Sequence, residues 1–364
     1  MRHLSIAQEF FSEGNVLDIK EFGNGNINDT YLATTDSAEE THFVLQRINT
    51  NVFKQPKLIM RNMRAFTDHM RKRARDEGFR WEIPRVLPTR NDHDFYIDST
   101  GQFWRAISYV NGAKSHDTIR DINHAREVGY ALGAFQNLIS DLPTEKLADT
   151  LEGFHITPHY LKQFDHAFSQ NGFKKGAEVN YCLDFIEQRR AFAYTLEDAR
   201  EQGKLQVRAM HGDPKVNNVM IEVSTGRAIS IVDLDTVKPG LIHYDIGDCM
   251  RSGCNPLGEE TEDWEAVHFD LEFGAAILEG YLTQAGAFLR EADYEYLFDS
   301  IRLLSFELGI RFFADHLAGD VYFKVKHPGH NLQRALVQFK LTESIEAHEG
   351  EIRNIIGKMV VSAK

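Results

Sequence analysis

The chemistry most readable in this sequence lies in two short stretches. His211-Gly212-Asp213-Pro214-Lys215-Val216-Asn217-Asn218 offers one carboxylate and, five residues on, one amide, and Asp233 follows twenty residues after Asp213 at the end of the apolar run Ile229–Val232. Moving a phosphoryl group from ATP to a hydroxyl requires a carboxylate that orients the hydroxyl and takes its proton, and oxygen ligands that hold magnesium against the phosphates. Magnesium takes carboxylate and amide oxygens while keeping several waters, so Asp233 with Asn218 is an adequate protein contribution. Asp235, two residues further on, could reach a substrate hydroxyl or a second metal, or cap the following turn. A third stretch, Gly23-Asn24-Gly25-Asn26-Ile27-Asn28, lies between two strand-like runs. Its backbone N–H groups could cover the phosphates of ATP, although a glycine pair in a hairpin is often only a turn.

These groups need elements that bring them together. Two apolar runs, Val219–Val223 and Ala228–Leu234, flank Ser224-Thr225-Gly226-Arg227 and predict a hairpin that carries Asp213, Asn218 and Asp233 to one edge. Upstream, Val16–Phe22, Ile27–Thr34, His42–Ile48, Asp94–Asp98 and Phe103–Val110 read as short strands. A helix starting at Pro56 interrupts them, with Ile59, Met60, Met63, Phe66 and Met70 on one side. Asn111–Gly112 reads as a hinge, and beyond it Ile122, Ala125, Val128, Leu132, Phe135 and Ile139 form the first apolar stripe of a helical region. The expected fold is α+β and bilobal: residues 1–110 form a small β-rich nucleotide-binding lobe, and 111–364 a larger helical lobe for catalysis and substrate.

Composition narrows the partners. A net charge of −13 repels phosphate polymers, so neither nucleic acid nor an anionic membrane is an expected partner. There is no opening apolar run of signal-peptide type and no long uncharged apolar stretch, so a cytoplasmic protein is expected. Three cysteines, Cys182, Cys249 and Cys254, make no disulfide framework. His155 and His159 stand four apart with Pro158 between them and no glutamate after His155, a poor zinc pattern. The acidic run 259–263 reads as a solvated helix start.

HGDPKVNN followed by IVDLD resembles the HGDxxxxN and IDxx motifs of the aminoglycoside phosphotransferase and choline kinase superfamily, whose fold is protein-kinase-like. The resemblance implies Asp213 as catalytic base, Asn218 and Asp233 as magnesium ligands, and His211 as a structural part of the loop. Tyr244-Asp245-Ile246-Gly247-Asp248 is similar to the YDxxD stretch, which implies that Asp245 braces the catalytic loop. The stretches GNGNINDTY (23–31), FVLQRIN (43–49), MRNM (60–63), GAFQNLI (133–139), FHITPH (154–159), VDLDTVKPG (232–240) and RFFADHLAGDVYF (311–323) look like the N-acetylhexosamine 1-kinases of that superfamily. This likeness implies ATP and Mg2+, transfer to the anomeric hydroxyl of N-acetylglucosamine or N-acetylgalactosamine, and Arg311, Asp315 and Tyr322 as candidate sugar contacts beside Asp213 and Asp235. Adenine is then expected near Tyr109 and Val110, and the phosphates under Gly23, Asn24, Gly25 and Asn26.

One departure stands out. A kinase-like first lobe supplies a lysine on its third strand, paired with a glutamate on the next helix. Here that position falls on Gln46, and the helix after Pro56 has no glutamate before Glu77, so Arg47, Arg64 or another cation must replace the charge. Three alternatives accompany the main reading. One is a same-fold kinase for choline, homoserine or an aminoglycoside, where Trp104, Trp264 and the acidic run could serve an amine. The others are a silent nucleotide-binding protein and a metal-dependent glycosyltransferase using Asp233-Leu234-Asp235.

Overall fold

A computed structural model describes residues 2–23, 27–74, 81–170 and 176–363, with side chains as far as 359. Asn24, Gly25, Asn26 and Glu77 lie outside the described residues. The N-terminal region is an antiparallel sheet of β1 (Val16–Glu21), β2 (Asp29–Thr35), β3 (His42–Ile48), β4 (Val86–Leu87), β5 (Tyr96–Ile97) and β6 (Phe103–Ser108). Its spatial order is β1-β2-β3-β6-β4, with β5 also on β6. β3 lies centrally and pairs with β6 so that Gln46 faces Arg105.

Apolar burial closes both faces of this sheet. Helix α1 (Arg2–Glu9), outside the expected elements, sets Ile6 and Ala7 against Phe43, Leu45 and Trp104 on one side. Helix α2 (Pro56–Ala74) starts at the expected proline and buries Ile59, Met60, Met63, Phe66 and Met70 on the other. Each such side chain contributes roughly 1.5–3 kcal/mol on leaving water. The α2 stripe continues into the same core as Ala125, Val128, Leu132 and Phe135, so the sheet region is fastened to the helical region through one apolar layer.

Downstream, β7 (Ala113–Lys114), β8 (Arg208–Met210), β9 (Val219–Glu222), β10 (Ala228–Ile231) and β11 (Lys238–Gly240) form two small antiparallel sheets, β10-β9-β7 and β11-β8. The expected hairpin is β9–β10, closed at its base where the Val232 N–H donates to the Asn218 carbonyl at 2.8 Å. Around it lie α3 (Ile122–Ile139), α4 (Thr157–Gln170), α5 (Ala177–Arg189), α6 (Thr195–Glu201), α7 (Ile242–Gly253) and α8 (Leu271–Ala285). The last four helices are α9 (Glu291–Glu295), α10 (Leu297–Ala318), α11 (His330–Ala347) and α12 (Glu349–Ala363). Asp121 caps α3 by accepting from the His124 N–H at 2.8 Å, which satisfies one of the free first-turn donors. Helices α3 and α8 meet almost backbone to backbone: a Cβ on Gly280 would stand 1.9 Å from the Arg126 carbonyl oxygen, and one on Gly129 as close to that of Ile277. No described helix is long and apolar enough to cross a membrane.

Candidate active site

The loop from His211 to Asn218 leaves β8 and enters β9, and the buried side chain of Asp245, in the first turn of α7, holds its start. The Asp245 carboxylate accepts the N–H of His211 at 2.8 Å and of Gly212 at 2.7 Å, and the Gln136 amide at 2.9 Å. Burial raises its pKa, against the opposing effects of His211 and these donors. Gly212 takes φ +89°, and a Cβ there would stand 2.8 Å from the Thr236 carbonyl oxygen, so only glycine fits without displacement. His211 is fully buried and burial lowers its pKa. Its Nε2 meets the Val232 carbonyl at 3.1 Å and its Nδ1 accepts the Asp213 N–H at 3.2 Å, the pattern of a neutral imidazole protonated on Nε2.

Sequence reasoning missed a second brace. His155 sits in the left-handed region at φ 64°, with Nδ1 2.9 Å from Glu307 Oε1 and Nε2 2.6 Å from the Gly212 carbonyl. Burial pulls its pKa down, but Glu307, Asp248 and the carbonyl together outweigh it and the net shift is upward, so both ring nitrogens donate. The signals in the sequence were that His155 did not fit a zinc motif and that it lies in the stretch FHITPH, neither of which assigns it a role.

The loop delivers Asp213 to a cleft. Its carboxylate lies 2.9 Å from Lys215 Nζ, and the negative charges of Asp213 and Asp233 raise the pKa of that lysine. Asn218 spends its amide N–H on the Asp213 carbonyl at 2.7 Å, which leaves its Oδ1 as the atom available to a cation. Asp233 ends the hairpin in the left-handed conformation, φ 61°. Water reaches its side chain, yet the enclosing protein, followed by the charges of Asp213 and Asp235, pushes its pKa up to about 6 against the pull of Lys215 and Arg105. A carboxylate crowded by the charges of two others is one that a hard divalent ion would relieve.

Asp235 turns away from this cleft. Its buried carboxylate pairs with the Arg105 guanidinium and accepts the Asn28 amide at 2.6 Å. Gln46 stands beside Arg105, its Oε1 accepting from Nε at 2.9 Å and from a terminal nitrogen at 2.6 Å. Arg47 pairs with Asp29, and Arg64 with Asp94 at 2.6 Å, so neither cation offered for the missing lysine turns to this cluster. Gly23 is described at φ 75° with open space around it. Val110 joins Ala113 and Ile229 in a small apolar cluster edged by Met220 and Val232, and the Tyr109 ring lies 5.9 Å from Phe22.

A cavity of about 510 Å³ opens beside Asp213. Its lining includes Phe154, Arg251, Glu307, Arg311 and Tyr322. The Arg311 guanidinium lies among the rings of Phe154, Tyr160 and Phe323 at 5.0–5.5 Å. Asp315 does not line the cavity. Its oxygens accept the N–H groups of Val321, Tyr322 and Phe323 at 3.0, 2.8 and 2.9 Å and the Asn331 amide at 3.0 Å, so it shapes the segment that carries Tyr322. The run 259–263 leads into a short 3-10 helix, Trp264–Ala266, with Asp263 at its N-cap and no α-helix following directly. Glu259 pairs with Arg251 at 3.1 Å, and Glu260 gathers Arg334, Lys326 and His330, so both acids reach the cavity already neutralised. Trp104 donates to Asp98 inside the sheet region, and Trp264 lies tilted against Tyr181; neither lines the cavity.

A family model described as the phosphotransferase enzyme family matches residues 18–295. Among solved structures, an aminoglycoside phosphotransferase from Alicyclobacillus acidocaldarius shares 14% identity at a TM-score of 0.64, covering 97% of this chain and 96% of that one. A choline kinase from Cryptosporidium parvum shares 13% at 0.59, covering 98% and 97%. A spectinomycin phosphotransferase in complex with ADP and spectinomycin shares 13% at 0.51, covering 93% and 98%. At these identities the likeness establishes the bilobal, kinase-like fold.

Proposed function

Because the chain belongs to the phosphotransferase enzyme family, we propose that it transfers the γ-phosphoryl group of ATP to the anomeric hydroxyl of N-acetylglucosamine or N-acetylgalactosamine. The observation that carries this reading is the loop from His211 to Asn218, braced by Asp245 and His155 so that Asp213 faces a cavity shared with Arg311 and Tyr322.

Asp213 accepts a hydrogen bond from the acceptor hydroxyl and takes its proton as the phosphoryl group moves in line. An anomeric hydroxyl is more acidic than an ordinary alcohol, so an ionised carboxylate serves without tuning. Lys215, close to Asp213 and within electrostatic reach of Asp233, offsets the negative charge that these two carboxylates bring to the cleft. Asn218 and Asp233 are the residues that would hold magnesium, which when bound neutralises charge on the phosphate oxygens. Adenine fits the apolar cluster of Val110, Ile229 and Val232, with the phosphates toward Gly23 to Asn28. The nucleotide-binding lobe is taken as 1–110 and the catalytic lobe as 111–364, the turn at Asn111–Gly112 serving as hinge.

Cavity charge favours the acetylated sugar over an amine. Glu259, Glu260 and Glu307 are each paired, and Arg311 lies among aromatic rings on the cavity wall, where it suits an acceptor oxygen such as an amide carbonyl. An ADP-release assay with ATP and magnesium tests this across N-acetylglucosamine, N-acetylgalactosamine, glucose, galactose, choline, homoserine and kanamycin, with Asp213→Asn as blank. Turnover on the acetylated sugars that vanishes in the blank is the expected result; turnover on an amine alone would discard the sugar.

A further inference from the structure

Kinase-like sites need a cation that ties the first lobe to the phosphate-facing loops. Strand β3 puts a neutral amide, Gln46, where a lysine would stand. Its cross-strand partner on β6 is Arg105, the one charged residue in the strand Phe103-Trp104-Arg105-Ala106-Ile107-Ser108. A guanidinium with its side chain about 1% exposed is costly unless every neighbour is arranged for it. Here they are. Gln46 accepts from Nε and a terminal nitrogen, and the other terminal nitrogen pairs with Asp235, itself about 1% exposed.

Asp235 lies two residues beyond Asp233, in the 3-10 turn Leu234–Thr236 that Asp233 opens. Its second oxygen holds the Asn28 amide, and Asn28 Oδ1 in turn accepts the Asn49 N–H at 2.9 Å. One buried cation therefore connects β3, β6, the end of the segment 23–28 and the turn that carries Asp233. Asn28 and the Asp233 turn, both expected on the phosphate side, meet through it.

We infer that Arg105 is a positioning residue for nucleotide binding, doing from β6 the work of the absent β3 lysine. Gln46 orients the guanidinium, and Asp235 couples it to the Asp233 turn and to Asn28. The inference rests on the ATP-dependent reading above but not on the identity of the acceptor, so direct titration of ADP with magnesium chloride by calorimetry is the suitable test.

Arg105→Met strands a buried carboxylate and lowers the melting temperature; adding Asp235→Asn removes that charge while still offering Asn28 an acceptor, so stability recovers. ADP affinity is expected to stay weaker by about tenfold or more in both variants, because the coupling is gone even where the fold is sound. Arg105→Lys keeps the charge without the two-nitrogen grip on Gln46 and is expected to hold ADP less tightly than wild type but clearly more tightly than Arg105→Met. Recovery of affinity together with stability in the double variant would reduce Arg105 to a structural ion pair and overturn the inference. Should the double variant stay unstable, the lysine variant decides: a loss as large as in Arg105→Met overturns it. A wild type that binds no ADP would overturn the functional reading as well.

Discussion

Exchanging Asp213 for asparagine keeps the backbone contacts of the loop, its N–H to His211 and its carbonyl to Asn218, and removes the charge that pairs with Lys215. What disappears is the oxygen that takes the proton. Asp213→Asn is therefore expected to lower kcat by about 10²–10⁴-fold with ADP affinity within a few-fold of wild type, read by steady-state turnover and calorimetry. Equal losses in both would make Asp213 part of the nucleotide grip. His155 supports a second expectation. Its folded pKa is raised, so its contribution to stability is fully present below the ordinary histidine value of about 6.5 and is lost as pH rises through the folded value. Each tenfold gain in proton affinity on folding corresponds to about 1.4 kcal/mol. The urea-midpoint gap between wild type and His155→Gln should shrink as pH is raised from 6 toward 9. Both chains keep the left-handed backbone at this position, so that strain cancels at every pH. A constant gap would mean a neutral His155. The trio Asp213, Asn218 and Asp233 was legible because fixed spacing around one hairpin places it; His155 and Glu307 were not, because 152 residues separate two groups that only the packed fold brings together.

At the scale of elements, the start of the segment from Gly319 to Gly329 is gathered by one side chain. α10 stops at Gly319 in the left-handed conformation, and Asp315, one turn back, receives three successive backbone N–H groups. The sequence marked Asp315 for the substrate because it shares a stretch with Arg311 and Tyr322, but side-chain direction on a helix is set by the turn above it. Asp315→Ala should leave those donors unmet and displace Tyr322, raising KM for the acceptor by about 10–100-fold while KM for ATP stays within a few-fold. Matching rises in both constants would mean that the whole cleft has loosened. The strand pattern hid Arg105 in a related way. Alternation located Gln46, but the residue that completes it sits on a strand that is fourth in the sheet order and nearly sixty positions away, so only the register pairs them. The visible sign was a lone charge in an apolar strand.

For the whole molecule, the question is what makes the sheet region and the helical region one cooperative unit. The α2 core stripe supplies most of the area, and Asn62, buried on that helix, supplies direction. Its amide donates to the Ala148 carbonyl at 2.8 Å and the Val237 carbonyl at 3.1 Å, and its oxygen accepts the Ala148 N–H at 2.8 Å. Nothing in the stretch MRNM announces this, because the partners lie 86 and 175 residues on, in loops with no pattern of their own. Asn62→Ala abandons three backbone groups at the junction, which costs on the order of 2–4 kcal/mol when such groups lose both protein and solvent partners. The loss falls on the join and spares the interior of either region, so the two should part on unfolding. Tryptophan emission, weighted toward Trp81 and Trp104 beside the sheet, should fall at lower urea than far-UV ellipticity, which follows the C-terminal helices. In the wild type the two curves should coincide, as a shared core requires. Coincident curves in the variant, shifted by less than the equivalent of about 0.5 kcal/mol, would show that apolar burial along α2 alone holds the regions together.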